Sequence, residues 1–234
     1  MKHEIYPLTI SEITVDKGYM TYLKNYGEKI KVPVNVWYIE CPETHIIVDA
    51  AASAKEIGKY GRISEDVMSF EDALNEVGLV PSDIDIIVST HLHYDHILNA
   101  VECKKARVFV QEKELQFALN PHPVVRDSYP TRVIKNLKYN ILRGNQKIVD
   151  GVEVILTPGH TPGSQSICVE TSKGLAIITG FCCIKDNFTD SQISIPGIHY
   201  SVADAFESSM RVKLMADILI PLHDPEISKK KRIP

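Results

Sequence analysis

Short apolar runs and amphipathic segments alternate along the chain. Strands are predicted where apolar residues are continuous or alternate between turn signals, at residues 34–39, 45–49, 84–88, 107–110, 148–156, 165–170, 175–179 and 218–221. Helices are predicted at residues 69–77, Glu112–Leu119 and Val202–Met215. Residues 120–130 hold three prolines and are expected to form an ordered loop, a candidate lid. This order predicts an α/β fold of two β-sheets packed face to face, with helices outside.

A cluster of metal-binding residue types directly follows one of these strands. Residues 84–88 are continuously apolar, which is typical of a strand covered on both faces. Residues 91–96 then read His-Leu-His-Tyr-Asp-His. On an extended or turning segment, His91 and His93 point to the same side, as a chelating pair requires, and Asp95 and His96 face a neighbouring position. Since α/β proteins place their sites after strand ends, the cluster predicts a metal site rather than surface histidines.

Two distant histidines are candidates for completing the site, because one segment cannot surround a metal. His160 lies in Thr-Pro-Gly-His-Thr-Pro-Gly at residues 157–163, where two Pro-Gly turns fix its backbone. The alternative is an incidental histidine in a structural turn. His223 follows the last predicted strand. In the company of the cluster, both are expected to be ligands.

Composition narrows the class of protein. The chain has 234 residues, 44% of them hydrophobic, which suits one domain spanning residues 1–234. The net charge of −4 argues against a nucleic-acid binder, and no apolar stretch has the length of a membrane span. Five irregularly spaced cysteines do not suggest a disulfide framework, and no secretory signal is recognised. A cytoplasmic protein is therefore expected.

The order of these motifs resembles the metallo-β-lactamase superfamily. The cluster at residues 91–96, the Thr-Pro-Gly-His turn and the late histidine follow the superfamily pattern from residue 34 to residue 223. Residues 157–166, the Lys-Asp-Asn-Phe run at 185–188 and the His-Asp pair at 223–224 are most similar to the N-acyl homoserine lactonases. The resemblance implies an αββα sandwich of two mixed sheets with a dinuclear zinc site between them.

The resemblance also implies how the ligands are shared. It assigns one metal to His91, His93 and His160, and the other to Asp95, His96 and His223. Asp49, at the end of a predicted strand, resembles the family's buried acid that supports the ligands from behind.

The chain departs from the lactonase pattern where an aspartate should bridge the metals. Residues 179–185 read Thr-Gly-Phe-Cys-Cys-Ile-Lys and contain no carboxylate. One interpretation makes Cys182 a thiolate ligand, because true metallo-β-lactamases have a similar cysteine with a lysine three residues later, as Lys185 follows Cys182. The other treats Cys182 and Cys183 as small buried hydrophobic residues and leaves the second metal weak or absent.

The substrate contacts of the lactonases are also altered. An ungapped comparison puts Cys183 where the lactonases have a tyrosine that positions the substrate carbonyl, and Tyr94 and Tyr200 are candidate replacements. Lys185 is a candidate partner for a substrate carboxylate. Its alternative is an exposed lysine at a strand end.

The leading hypothesis is a metal-dependent hydrolase that opens a small cyclic ester or cyclic amide. A metal-bound water has its pKa lowered to about 7 and supplies the attacking hydroxide, while Asp95 ligates metal and passes a proton to the leaving group. Zn²⁺ is expected, as one ion or two, with iron or manganese as alternatives. Other functions left open are an iron-dependent oxygen enzyme, a thioesterase and a catalytically inactive binding protein. The expected partner is a small carbonyl compound, and the resemblance also allows a homodimer.

Overall fold

The computed structural model describes residues 2–189 and 192–234. Within these residues the first β-sheet has seven strands in the order β4-β1-β2-β3-β5-β6-β7. Their bounds are β1 Ile5–Asp16, β2 Lys29–Ile39, β3 Ile46–Val48, β4 Ile63–Asp66, β5 Ile86–Val88, β6 Arg107–Gln111 and β7 Tyr139–Leu142. Because β3, β5, β6 and β7 are parallel, their carboxyl ends meet at one edge of the sheet.

The second sheet, in the same described ranges, has five strands in the order β12-β11-β10-β9-β8. Their bounds are β8 Gln146–Val149, β9 Val152–Leu156, β10 Gln165–Thr171, β11 Gly174–Ile178 and β12 Ile218–Ile220. Strands β8 to β11 pair antiparallel, whereas β12 pairs parallel with β11. The segments that follow β11 and β12 therefore leave the sheet at the same edge.

Short helices connect the strands. The described part of the chain has α1 Ala54–Gly58, α2 Phe70–Asn75, α3 Tyr94–Ile97, α4 Glu112–Leu119, α5 Thr131–Ile134, α6 Val202–Met215 and α7 Pro225–Ser228. Turns of 3₁₀-helix cover Lys17–Tyr19, Pro81–Asp83, Leu98–Glu102, Pro123–Ser128 and Lys185–Asn187. The predicted helices at Glu112–Leu119 and Val202–Met215 are confirmed with the same bounds.

Three buried apolar clusters define four layers. The cluster between the sheets draws on both of them, with Trp37, Ile39, Val48 and Val88 from the first and Val154, Ile167, Val169 and Ile178 from the second. Another covers the outer face of the first sheet and includes Leu74 of α2 and Ala118 of α4. In the third, Val212 of α6 packs against Ile155 and Ile177 of the second sheet. The predicted αββα sandwich is confirmed.

Two strand predictions are corrected. The single strand predicted at residues 148–156 is wrong, because β8 and β9 form a hairpin around Gly151, which has a φ of +75°. An Asp-Gly pair is a strong hairpin signal that the apolar pattern obscures here. The longest strand, β1, is absent from the prediction, because a register shift between Thr9 and Ser11 interrupts the alternation of buried positions.

Two other segments differ from their predicted form. The helix predicted at residues 69–77 is shorter, since it is capped by Ser69 and gives way to Gly78 at a φ of +75°. The expected loop at residues 120–130 contains the 3₁₀-helix Pro123–Ser128. No helix within the described ranges has both the length and the apolar character of a membrane span.

Candidate metal centre

The histidine cluster lies at the carboxyl edge of β5. After this strand the chain reaches His93, which occupies the N-cap position of the short helix α3 in an extended conformation. The turn of α3 brings the ring of His96 to 4.2 Å from that of His91, and the ring of His93 lies 4.6 Å from His91 on another side. These three histidines and Asp95 are buried. The sequence cluster is therefore also a compact cluster in space.

His160 reaches this cluster from the second sheet, on the loop between β9 and β10. Gly159 has a φ of +129°, and a Cβ atom at this position would lie 2.2 Å from the backbone nitrogen of Ala205 in α6. Only glycine permits this close approach. His160 Nδ1 donates to the carbonyl oxygen of Ile198 over 2.7 Å, and its Nε2 lies 3.2 Å from Nε2 of His91.

Cys182 and His223 complete the cluster from the parallel strands β11 and β12. Cys182 Sγ lies 3.3 Å from Nε2 of His160 and 3.6 Å from Nε2 of His223. The backbone N–H of His223 donates to the carbonyl of Cys183 over 3.0 Å, which joins the two segments. The thiol thus contacts one histidine from each of the two ligand sets implied by the resemblance.

Among residues 2–189 and 192–234, the potential ligand atoms form three overlapping groups, and within each group they lie no more than 4.8 Å apart. The groups are His91, His93 and His160; His91, His96 and Cys182; and Asp95, His96 and His223. The first and third are the ligand sets expected from the resemblance. The second places Cys182 between them.

Asp49 controls the orientation of two imidazoles. Its Oδ2 accepts hydrogen bonds from His96 Nδ1 and Thr90 Oγ1, both over 2.8 Å, and its Oδ1 accepts from the Thr90 backbone N–H over 2.7 Å. Because the Thr90 hydroxyl donates to Asp49, it accepts from His91 Nδ1 over 3.0 Å. A neutral imidazole carries one N–H, so in the neutral form of each histidine, the form that binds a metal, Nε2 presents a lone pair.

His223 is also oriented by a hydrogen bond from its Nδ1. This Nδ1 donates to the Pro33 carbonyl over 2.9 Å, as Nδ1 of His160 donates to the Ile198 carbonyl. Four imidazoles are therefore held from outside, with Nε2 left for a ligand. This arrangement is how proteins fix histidines around a metal.

One buried nitrogen tests whether the residues fit a metal. Nε2 of His96 has no hydrogen-bond partner among the described residues, although it lies 3.3 Å from Asp95 Oδ2. A nitrogen lone pair and a carboxylate oxygen repel each other unless a cation lies between them. Imidazole, thiolate and carboxylate donors suit divalent transition metals. The residues present fit a divalent metal.

The electrostatics of the cluster favour a neutral His91 and an ionised Cys182 and Asp95. Against the effect of burial, the neighbouring anions raise the pKa of His96, His160 and His223. Burial, together with the neighbouring imidazoles, lowers the pKa of His91 well below its usual value. Burial would raise the pKa of the Cys182 thiol, but His160 and His223 outweigh it and hold that pKa well below its usual range. Burial also opposes ionisation of Asp95, yet the adjacent His96 lowers its pKa. Deprotonated donors are what a metal requires.

Glu114 is a buried residue that sequence reasoning missed. This side chain of α4 has no solvent exposure, and its Oε1 accepts from the backbone N–H of Leu92 over 2.9 Å. Its Oε2 accepts from Thr161 Oγ1 over 2.6 Å and from the Gly163 N–H over 3.2 Å. A lone glutamate in an amphipathic helix gives no sequence signal for this role. It ties the cluster to the turn that carries His160.

A cavity of about 60 Å³ that opens to solvent leads to the cluster. Its wall includes Tyr94 and, from the expected lid segment at residues 120–130, Ser128. The ring of Tyr129 lies 4.8 Å from the ring of His93. The segment at residues 120–130 therefore contributes to the wall of the cavity. Arg62, which the sequence did not single out, also lines it.

The other candidate substrate contacts lie elsewhere. Lys185 is exposed, its backbone N–H donates to Asp224 Oδ2 over 2.7 Å, and it does not line the cavity. Cys183 is fully buried, 3.0 Å from Thr179 Oγ1, in the cluster beneath α6. Tyr200 is 58% exposed and packs against Phe117. Of these candidates and Tyr94, only Tyr94 lines the cavity.

Comparisons with known sequences agree with the geometry. A profile of the metallo-beta-lactamase superfamily matches residues 30–180. An N-acyl homoserine lactonase of Bacillus thuringiensis is 27% identical over 225 residues, covering 88% of this chain and 87% of the relative. The lactonase AttM of Rhizobium radiobacter is 26% identical over 226 residues, covering 86% and 85%.

Solved structures extend the likeness to the whole fold. A variant of the lactonase AiiA of B. thuringiensis, with N-decanoyl-L-homoserine at its active site, matches with a TM-score of 0.82 at 26% identity, covering 98% of this chain and 96% of that one. An N-acyl homoserine lactone hydrolase with N-hexanoyl-L-homoserine at its catalytic metal centre matches with the same score, identity and coverage. The chain therefore belongs to the metallo-β-lactamase superfamily.

Proposed function

We propose that this protein is a dinuclear, zinc-dependent lactonase in which Cys182 replaces the bridging carboxylate. One observation carries the proposal: Cys182 Sγ contacts a histidine of each donor group. The related N-acyl homoserine lactonases support the reaction class. At the level of a metal-dependent hydrolase that opens a lactone, the sequence prediction is confirmed.

The donor groups divide between two ions. His91, His93 and His160 would hold one ion, and Asp95, His96 and His223 would hold the other. Thiolate and imidazole donors together favour zinc over the harder cations. A thiolate that contacts both sets would offset part of the charge of the two ions, as the missing carboxylate would.

The metals, when bound, supply a nucleophile from water at neutral pH and polarise the carbonyl of the ring. Asp95 lines the cavity with an ionised carboxylate, so it can accept the proton of the attacking water and pass it to the departing alkoxide oxygen. Tyr94 interacts with Arg62. Since a guanidinium only donates, the phenol proton of Tyr94 remains available for a substrate oxygen.

Metal content tests the proposal most directly. Protein purified without chelators is analysed by elemental analysis beside Cys182→Ala, Cys182→Asp and, as a matched control, Cys183→Ala. We expect two zinc ions in the parent, in the control and in Cys182→Asp, which restores a carboxylate, and about one in Cys182→Ala. Cobalt-loaded parent should show a thiolate-to-metal absorption band that Cys182→Ala lacks.

Two results would overturn parts of this assignment. Equal metal content in parent and Cys182→Ala would remove the cysteine from the ligand set. One iron per chain, with no hydrolysis of simple lactones by metal-loaded protein, would replace the lactonase proposal with oxygen chemistry. Turnover of cyclic amides but not lactones would change the substrate class within the same hydrolytic mechanism.

A further inference from the structure

The cavity contains a cation that the metal chemistry does not use. Arg62 directly precedes β4 and lines the cavity together with the ligands His93 and Asp95. Its guanidinium carbon lies 5.4 Å from the centroid of the Tyr19 ring. This cation–π contact and the interaction with the hydroxyl of Tyr94 hold the side chain at the cavity wall.

Arg62 has no carboxylate partner in a salt bridge within the described ranges. The acids of the adjacent strand are engaged elsewhere, since Glu65 pairs with Lys31 and Asp66 Oδ1 accepts from the Ala54 N–H over 2.6 Å. The anionic groups that share the cavity face histidines: Asp95 lies 3.3 Å from His96, and Cys182 contacts His160. The tyrosines compensate a half-buried guanidinium only in part for lost hydration, so Arg62 keeps N–H donors for an incoming anion.

The rest of the wall limits the kind of anion. Apolar side chains line the cavity: Ile13, Val15, Met20, Val32 and Ile198. Among the described lining residues, Arg62 is the only lysine or arginine. One planar fork of N–H donors matches one carboxylate, whereas a doubly charged phosphate is usually met by several cations.

Resting on the proposed function, we infer that Arg62 binds a carboxylate of the substrate, so that the protein selects small lactones bearing an acidic group. Tyr94 interacts with Arg62, adjoins Asp95 in sequence and lines the same cavity as both. A carboxylate on Arg62 would therefore position the ring carbonyl near the donor cluster, with the apolar wall around the ring.

Kinetics with a matched pair of substrates tests this inference. The metal-loaded enzyme is assayed with a γ-lactone that carries a carboxylate on its ring and with the neutral methyl ester of that lactone. We expect the parent to prefer the acid in kcat/KM by about 10-fold to 100-fold, the value of one charge-assisted bidentate pair. Arg62→Gln should abolish this preference, and Arg62→Lys should restore only part of it. Arg126→Gln, an exposed arginine on the Pro123–Ser128 turn, should retain it.

Binding gives a readout that does not depend on turnover. Calorimetric titration of metal-loaded protein with glutarate and with butyrate compares a dicarboxylate with a monocarboxylate of similar size. Arg62→Gln should weaken the binding of glutarate by about 10-fold and leave the affinity for butyrate nearly constant. Only the second carboxylate of glutarate, which butyrate lacks, would reach Arg62.

The outcomes separate the two proposals. The carboxylate site is wrong if the acid and the ester are hydrolysed equally well, or if Arg62→Gln slows both by the same factor. Arg62 then only supports the tyrosines, and the lactonase proposal is unaffected. If neither lactone is hydrolysed but glutarate binding still depends on Arg62, the carboxylate site stands and the lactonase proposal fails.

Discussion

Glu114 Oε2 accepts a hydrogen bond from Thr161 Oγ1 over 2.6 Å, although the two residues are separated by 47 positions in the sequence. The same carboxyl group accepts from the backbone of Leu92, which lies between two candidate ligands. One buried side chain therefore fixes the distance between the cluster from the first sheet and the His160 turn from the second. It lies outside the candidate donor groups and holds two of the segments that carry them.

Replacing Glu114 with glutamine should weaken the centre without changing a ligand. The amide offers one acceptor oxygen where three donors converge, so a buried donor loses its partner at a cost of about 1–3 kcal/mol in the free energy of unfolding. Metal affinity should fall about 10-fold to 100-fold. Urea unfolding and metal titration of Glu114→Gln measure both effects. Glu112→Gln, on the exposed side of the same helix, should match the parent, and equal losses in the two variants would refute the positioning role.

Gly159→Ala should displace the turn that carries His160. The new Cβ atom would meet the backbone of Ala205 at 2.2 Å, and the φ of +129° is strained for alanine. We expect a loss of about 2–4 kcal/mol in unfolding free energy together with weaker metal binding. Gly78→Ala is the control, since Gly78 also has a positive φ but open space around it, and it should lose only about 1 kcal/mol with unchanged metal affinity.

Alkylation should distinguish Cys182 from the other thiols. Burial raises the pKa of Cys41 to about 11 and of Cys103, Cys168 and Cys183 to about 12, so these thiols remain protonated at about pH 8. Cys182 lines the cavity. Iodoacetamide should therefore modify Cys182 selectively in native, metal-free protein, and added zinc should protect it, as mass spectrometry of peptides would reveal. Modification that zinc does not slow would argue against a ligand role.

Tyr94→Phe should lower kcat while preserving the fold. The substitution keeps the ring that stacks on Tyr60, with centroids 4.2 Å apart, and removes only the hydroxyl that faces the cavity. Loss of one donor to a developing oxyanion corresponds to about 100-fold to 1,000-fold in kcat. Tyr200→Phe should have parental kinetics because Tyr200 lies outside the cavity wall. The opposite ranking of the two variants would assign the donor to Tyr200.

The candidate donor groups could be predicted because they are concentrated in motifs whose spacing has geometric meaning. His91, His93 and His96 share one short segment after a buried strand, and the Pro-Gly turns around His160 are visible in the sequence. The contact of Cys182 with both groups could not be predicted, because it depends on the parallel pairing of β11 with β12. From the sequence alone, Cys182 could be either a metal ligand or a buried packing residue.

The cavity wall was harder to predict than its metal-binding end. Arg62 precedes β4, an exposed edge strand in which Ile63 is 75% exposed, so no alternation of buried positions marks it. Lys185 was the cation suggested by motif likeness, yet its side chain is directed to solvent. Both differences arise from pairing between distant segments, which local sequence patterns do not encode.

The position of β12 gives the centre a place in the order of synthesis. Five of the six histidine and aspartate donors, together with Cys182, lie before residue 183, but His223 joins them only when β12 pairs with β11. A nascent chain that stops before β12 has no route to a closed second donor group. Durable metal retention would thus mark molecules whose translation had passed residue 223.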